Sequence, residues 1–222
     1  MNHAHPLLRS AALVAVAASL AGCPSPNVYG TARTLPAGTL QHTAAIETIG
    51  VKPATGNGLF LPTAPTYQLR LGVTDRVDMG FRLGNLSTLG FDTKVNLVRG
   101  AFDLAIDPGL QGMYLAVGSS GGGLVYFNLP VILGFNLSQS FSIIATPGIS
   151  YALGFGYSSS SSEYNSDGFA ARLGIGANIR VSRSFALQPE VTALYFPASE
   201  GVIFSGGFGF SFGAQPDYSD VQ

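Results

Sequence analysis

The residues able to do chemistry in this 222-residue chain are few, and their spacing suits it poorly. His3 and His5 sit in the first five residues, and His42 falls on the apolar face of an alternating segment. A histidine-based triad or dyad therefore has no candidate base unless His42 is reoriented. Cys23 is the only cysteine, so no internal disulfide can form and no cysteine–histidine metal cluster exists. Asp103 and Asp107 share one strand face, where paired acid–base work is conceivable and salt bridges to Arg or Lys are the simpler expectation. Gly174-x-Gly176 and Gly207-x-Gly209 lie inside strand-like segments without the helix start that a dinucleotide fingerprint requires, so they read as close packing. The chain reads as non-enzymatic, with no cofactor and no metal.

What must position these residues follows from composition and period. Only 10% of residues are charged, with a net charge of −1, against about 25% charged in soluble domains. A mean hydropathy of +0.32, 15 Phe and 9 Tyr exclude disorder. Two lysines, Lys52 and Lys94, exclude a basic nucleic-acid surface. From Leu40 onward the pattern alternates with period two. In 169–181 the odd positions are Phe, Ala, Leu, Ile, Ala, Ile and Val, and the even ones are Ala, Arg, Gly, Gly, Asn and Arg. Segments 67–73, 77–83 and 89–97 divide in the same way.

Short polar turns at 74–76, 99–100, 138–140 and 182–184 punctuate the alternation, and longer loops are expected at 52–63, 118–123, 158–167 and 197–201. Ten strands are predicted: 40–51, 65–74, 76–84, 87–98, 101–117, 124–137, 141–156, 168–181, 184–196 and 202–212. Pro108, Pro147 and Pro189 fall inside strands and are expected at bulges. So strand-rich a chain reads as an all-β, antiparallel up-and-down barrel of ten strands, eight being possible.

Two environments fit such alternation, and the composition of the faces separates them. The polar face is mostly Gly, Ser, Asn and Ala, whereas a water-exposed surface is commonly about a quarter to a third charged. Its charges are mixed: Glu47, Asp78, Asp92, Asp103, Asp107 and Glu190 against Arg70, Arg82, Lys94, Arg172 and Arg180. These eleven are expected to line a lumen and nearly neutralise one another. The opposite face carries no Asp, Glu, Lys or Arg, as lipid demands. Phe102, Phe135, Phe141 and Phe185 sit by the short turns, with Tyr67, Tyr151 and Tyr195 toward the other end.

With Arg9, an apolar stretch at 11–21 and then Leu20-Ala21-Gly22-Cys23, the first 22 residues resemble the signal peptide and lipobox of bacterial lipoproteins. The resemblance implies acylation of Cys23, which becomes the first mature residue, with 23–38 an extended Pro-bearing linker. Residues 39–213 resemble small bacterial outer-membrane β-barrel proteins, and 214–222 form a tail. Phe204, Phe208, Phe210 and Phe212 look like the terminal strand that barrel-insertion machinery reads, although that family's chains end there. The resemblance implies a monomer embedded in outer-membrane lipid, sorted by lipoprotein machinery, with both termini periplasmic. It implies a structural role or a narrow passive pore for water or small solutes. The alternative is a soluble periplasmic lipoprotein holding an apolar ligand in a lipocalin-like barrel, which requires the apolar face to point inward.

Overall fold

Residues 25–53, 57–63, 65–84, 88–117, 120–158 and 161–221 are described by the structure, a computed structural model. The signal at 1–22 and the candidate acyl acceptor Cys23 lie outside the described residues. The alternating segments form strands β1 (Leu40–Lys52), β2 (Leu59–Pro62), β3 (Thr66–Thr74), β4 (Val77–Gly84), β5 (Thr88–Val98), β6 (Phe102–Ile106), β7 (Gly109–Val117), β8 (Ser120–Ser138), β9 (Phe141–Ser158), β10 (Ser161–Ser182), β11 (Phe185–Phe196) and β12 (Gly201–Gly213). Consecutive strands pair antiparallel, and β12 returns to β1 with Gln41 opposite Gly213 and Lys52 opposite Val202. The result is a closed ten-stranded barrel. β6 and β7 are two halves of one broken strand, and β2 is a flap on the upper half of β1.

Proline shapes the ladder differently from the bulges expected of it. Pro108 separates β6 from β7. Opposite Pro147 the β8–β9 ladder passes from Pro130↔Gly148 to Leu133↔Ala145, and opposite Pro189 the β10–β11 ladder passes from Gly176↔Glu190 to Ile179↔Leu187. In both places pairs are skipped and the register is kept, because a proline lacks only its own N–H. Four register shifts fall beside the short turns, at Gly72/Thr74, Asn96/Val98, Asn136/Ser138 and Arg180/Ser182, and a fifth, at Ser161/Tyr164, lies by the β9–β10 loop.

The long-loop end also departs from expectation. Loops foreseen at 118–123 and 158–167 are largely strand, with Gly121 paired to Tyr157 and Asp167 to Leu153. Main-chain pairing there does not need the side-chain alternation by which the sequence was read. The wall at β8–β10 therefore stands tall, whereas β3 and β4 stop at Thr66 and Gly84.

The apolar face points outward: Phe169 is 65% exposed, Ile175 59% and Leu173 52%. Aromatic pairs mark both rims, Phe102–Phe135 and Phe185–Phe212 by the short turns and Tyr151–Phe169 above. His42 is exposed on the outside, with Nδ1 2.6 Å from the Tyr67 hydroxyl. This inside-out arrangement is that of a transmembrane barrel. It overturns the lipocalin-like alternative, because the face that would have held an apolar ligand is outside.

Lipid contact makes a graded prediction. Leu173→Arg, well inside the apolar belt, should destabilise the folded barrel in liposomes by about 2–4 kcal/mol, whereas Val181→Arg beside the short turn should cost about 0–1 kcal/mol. Urea titration read by heat-modifiable gel migration measures both, and equal losses at the two positions would contradict the belt.

Candidate functional site

The lumen is filled by the chain's own amino-terminal segment. Residues expected to be a free linker are extended, but they run inside the barrel: Ser25 to Tyr29 and Thr31 to Leu35 are buried. A turn at Pro36–Thr39 reverses the chain into β1, with Thr39 N donating to Pro36 O and Gly38 N to Gly72 O. Gly38 has φ +75°, which an L side chain rarely adopts, and a Cβ on Gly72 would meet Pro36 O at 2.3 Å.

An extended chain with no strand beside it must find partners for its N–H and C=O groups. The wall supplies them. Arg82 donates to the carbonyls of Ser25, Asn27 and Val28, Arg172 to Pro26 at 2.8 Å, and Gln111 to Ser25 at 3.2 Å. Lower down, Lys94 donates to the carbonyls of Thr31 and Arg33, and Asn96 to that of Ala32. The Glu190 carboxylate accepts from the N–H of Val28 and Tyr29, Asp78 from that of Leu35 at 2.9 Å, and Glu47 from the Ser25 hydroxyl at 2.8 Å.

Ten of the eleven inward charges are buried and Asp92 nearly so, but neutralising one another is only part of their role. Arg70 gathers Asp92, Asp107 (3.6 Å) and Asp78 (3.9 Å), and Lys94 also meets Asp78 at 2.9 Å. Arg82, Arg172, Glu47 and Glu190 are occupied by the plug. Asp103 and Asp107 do not form a pair: Asp103 takes the Arg33 guanidinium on both oxygens at 3.0 Å, while Asp107 faces Arg70.

Some inward glycines are shaped to the same segment, while others, such as Gly80 against Asp92 and Gly90 against Gln111, accommodate wall side chains. Tyr29 lies on β12, where a Cβ on Gly209 would meet its ring at 2.9 Å and one on Gly207 its hydroxyl at 2.5 Å. Val28 and Ala32 pack on Ala105, Ile132 and Ile144, an apolar inner patch that strict polar-face reading missed. Beside the plug, a cavity of about 20 Å³ lined by Asn27, Arg82, Asp107, Gln111 and Arg172 has room for about one water.

The tail closes the short-turn end. Tyr218 is buried beneath two guanidinium groups, with Arg180 Cζ 3.6 Å and Arg33 Cζ 4.4 Å from its ring centroid. Arg33 also bonds the Asp220 carboxylate and donates to Asp217 O at 2.6 Å, and the Val221 carbonyl accepts from Gln139 at 3.2 Å. Tyr29, Arg33, Tyr218 and Asp220 were not foreseen as site residues. Their segments have no period, and the one available signal was a lone arginine inside a supposed linker.

The fold and its lumen define a transmembrane β-barrel with an apolar exterior and a polar, self-filled interior. No protein-family model and no curated protein matches the sequence. Among solved structures the chain is similar to Ail, the attachment invasion locus protein of Yersinia pestis (10% identity, 80% of this chain and 99% of that one, TM-score 0.46). It is similar also to Neisserial surface protein A (11%, 78% and 96%, 0.43) and to the outer membrane protease OmpT of Escherichia coli (9%, 81% and 98%, 0.47). These are likenesses of fold.

Two outcomes follow from the geometry. Gly209→Ala should loosen the plug by displacing Tyr29, exposing 25–35 to limited proteolysis, and Tyr29→Ala in the same chain should largely undo the strain. A double variant no better than Gly209→Ala would refute that contact. At the lower mouth, the Arg33 guanidinium holds the Asp220 carboxyl below its ordinary value of 3.8. A depressed carboxylate contributes above its unfolded value and loses that contribution as pH falls through its lower folded value. The tail should therefore stay protected at neutral and mildly acidic pH and loosen only below about pH 4. Asp220→Asn should remove that acid-dependent step from the tail's protease sensitivity.

Proposed function

We propose that the protein is a non-enzymatic outer-membrane β-barrel lipoprotein, anchored through Cys23, with a structural role in the envelope and no constitutive pore. The observation that carries this reading is the plug. A ten-stranded barrel is only slightly wider than one filled by side chains alone, and here one extended chain and its hydrogen bonds take up the space along which solute would pass. The location in the bacterial outer membrane is supported by the apolar belt and its aromatic rims, together with the asymmetry of short turns and longer loops. With short turns on the periplasmic side, the tail at 214–221 is periplasmic. The Phe-bearing β12 is the segment offered to the barrel-insertion machinery, and lipoprotein sorting delivers the chain. The barrel acts as a monomer, since β1 and β12 close the wall on itself and β2, paired on one side, is only four residues long.

The acid groups favour the non-enzymatic reading. Asp103, Asp107, Glu47 and Glu190 are each engaged by a cation or by plug donors, so none is placed as a free acid–base pair.

Planar-bilayer recording tests this. The intact protein should show no conductance steps, whereas a variant lacking residues 25–35, if it keeps heat-modifiable migration, should conduct. Steps of the same size from both proteins would reject the structural reading in favour of a narrow pore that coexists with the plug.

A further inference from the structure

The plug has a direction, and it ends next to a feature that nothing above uses. Ser25 Oγ binds Glu47 Oε1 at 2.8 Å, and Thr66, the first residue of β3, reaches the same oxygen at 3.5 Å. Arg82, which holds the Ser25 carbonyl, lies two positions from the end of β4 at Gly84. Ser25 is therefore level with the long-loop end of the low wall, while Pro36–Thr39 is at the short-turn end. Ten strands bring Leu40 and Gly213 to one end of the barrel. The plug adds a further crossing, so Ser25 lies at the other end, whereas the sequence leads us to expect both termini on the periplasmic side.

Directly above Glu47 the inner face of the wall changes character. Ile49 and Val51 follow Glu47 on the same face of β1, and the β2 flap pairs Leu61 with Ile49 and Leu59 with Val51. These four side chains, with Pro53 and Asn57, line a cup of about 290 Å³. Through Ile203, opposite Val51, it adjoins an inward apolar cluster of Tyr126, Ala170 and Leu194, so the inner face is apolar at this end and largely polar below it. An inward apolar patch facing an aqueous mouth is unfavourable unless something covers it.

Chain length selects the occupant. Two residues of extended chain span at most about 7 Å, and Ile49 lies about 7 Å above Glu47 at about 3.4 Å per strand residue. Cys23 is two residues from Ser25. We propose that this cup receives an acyl chain carried by Cys23, so that the amino-terminal anchor lies at the long-loop end, opposite the tail. The other acyl chains of the anchor reach the bilayer over the low rim, where β3 and β4 stop at Thr66 and Gly84. The barrel then encloses its own tether, with one chain end at each face of the membrane. The proposal rests on the lipoprotein reading for the acyl group, whereas the position of the chain end rests on the plug alone.

Two measurements on the full-length protein in cells separate these dependencies. An epitope inserted between Pro24 and Ser25 is compared on intact cells with the same epitope in the β9–β10 loop and after Asp217. It should follow the loop insertion, and following the tail insertion overturns the proposal. Heat-modifiable migration verifies folding, and Pro24→Cys, labelled by a membrane-impermeant maleimide, makes the same comparison without an insertion. Metabolic labelling with a photoactivatable palmitate analogue, followed by irradiation and peptide mapping, should link Cys23 to the 47–62 segment. Crosslinks confined to lipid, or to 36–39 and 215–218, overturn the cup. Absence of label in a folded barrel rejects the lipoprotein reading, and the acyl occupant with it, while the epitope still reports the side on which the chain end lies.

Discussion

The structure depends on one constraint: an extended peptide inside a barrel has no neighbouring strand, yet its main-chain N–H and C=O groups need partners. An unpaired buried amide group costs about 1–3 kcal/mol, so a segment of ten residues left unmatched would be untenable. Here the wall's side chains take the place of a sheet. Arg82 serves three carbonyls and Lys94 two, and Glu190 accepts two successive N–H groups. The dependence is mutual, because ions taken from water need compensation as much as the amides do. Without the plug, Glu47 would keep only the longer wall contacts from Thr66 and Ser205 and Glu190 only that from Thr192, while Arg82 and Arg172 would lose the main-chain carbonyls they hold.

This constraint also explains the distribution of small residues. Space for an eleventh chain crossing comes from inward glycines where the plug is bulky or close: Gly209 beneath Tyr29 and Gly72 against Pro36, with Gly207 hemmed both by the wall carbonyl of Ile46 and by the Tyr29 hydroxyl. Gly174 has another reason, since a Cβ there would meet Thr146 Oγ1 at 2.1 Å and Thr192 Oγ1 at 2.7 Å, both wall groups. Large outward side chains pose no such problem, so the exterior keeps the aromatic and branched residues that lipid favours. The low overall charge follows too, because the outer belt can hold no ions and the lumen holds only those it can pair.

Period two made the barrel readable from sequence. Where a strand has one face toward lipid and one toward the lumen, as in 169–181, alternation states both the element and its orientation, and the charges on the polar face are thereby placed inside. The plug was not readable for a physical reason. Wall groups recognise its main chain, and every residue has the same main chain, so 25–35 carries little pattern complementary to Arg82, Lys94 or Glu190. Arg33 and Asp103 are 70 residues apart, and Arg33 and Asp220 187; pairings of that range leave no local signal. The Gly-rich start of β8 reads as loop in the sequence because its pairing is carried by the backbone alone.

The plug also bears on how the barrel stays closed. The β1–β12 pair is the seam, the last neighbours to meet because they are the first and last strands of the chain. The plug lies against that seam and bonds to both sides of it: Ser25 to Glu47 on β1, and Asn27 to Ser205 on β12 at 3.0 Å, with Tyr29 resting on Gly207 and Gly209. Ser205 in turn reaches Glu47 across the seam at 3.4 Å. A segment that precedes β1 in the chain is present before β12 arrives, so closure can occur around it, whereas threading it afterwards would require breaking the ladder. Filling the lumen and fastening the seam are thus done by the same residues, which ties the packing of the lumen to the integrity of the wall.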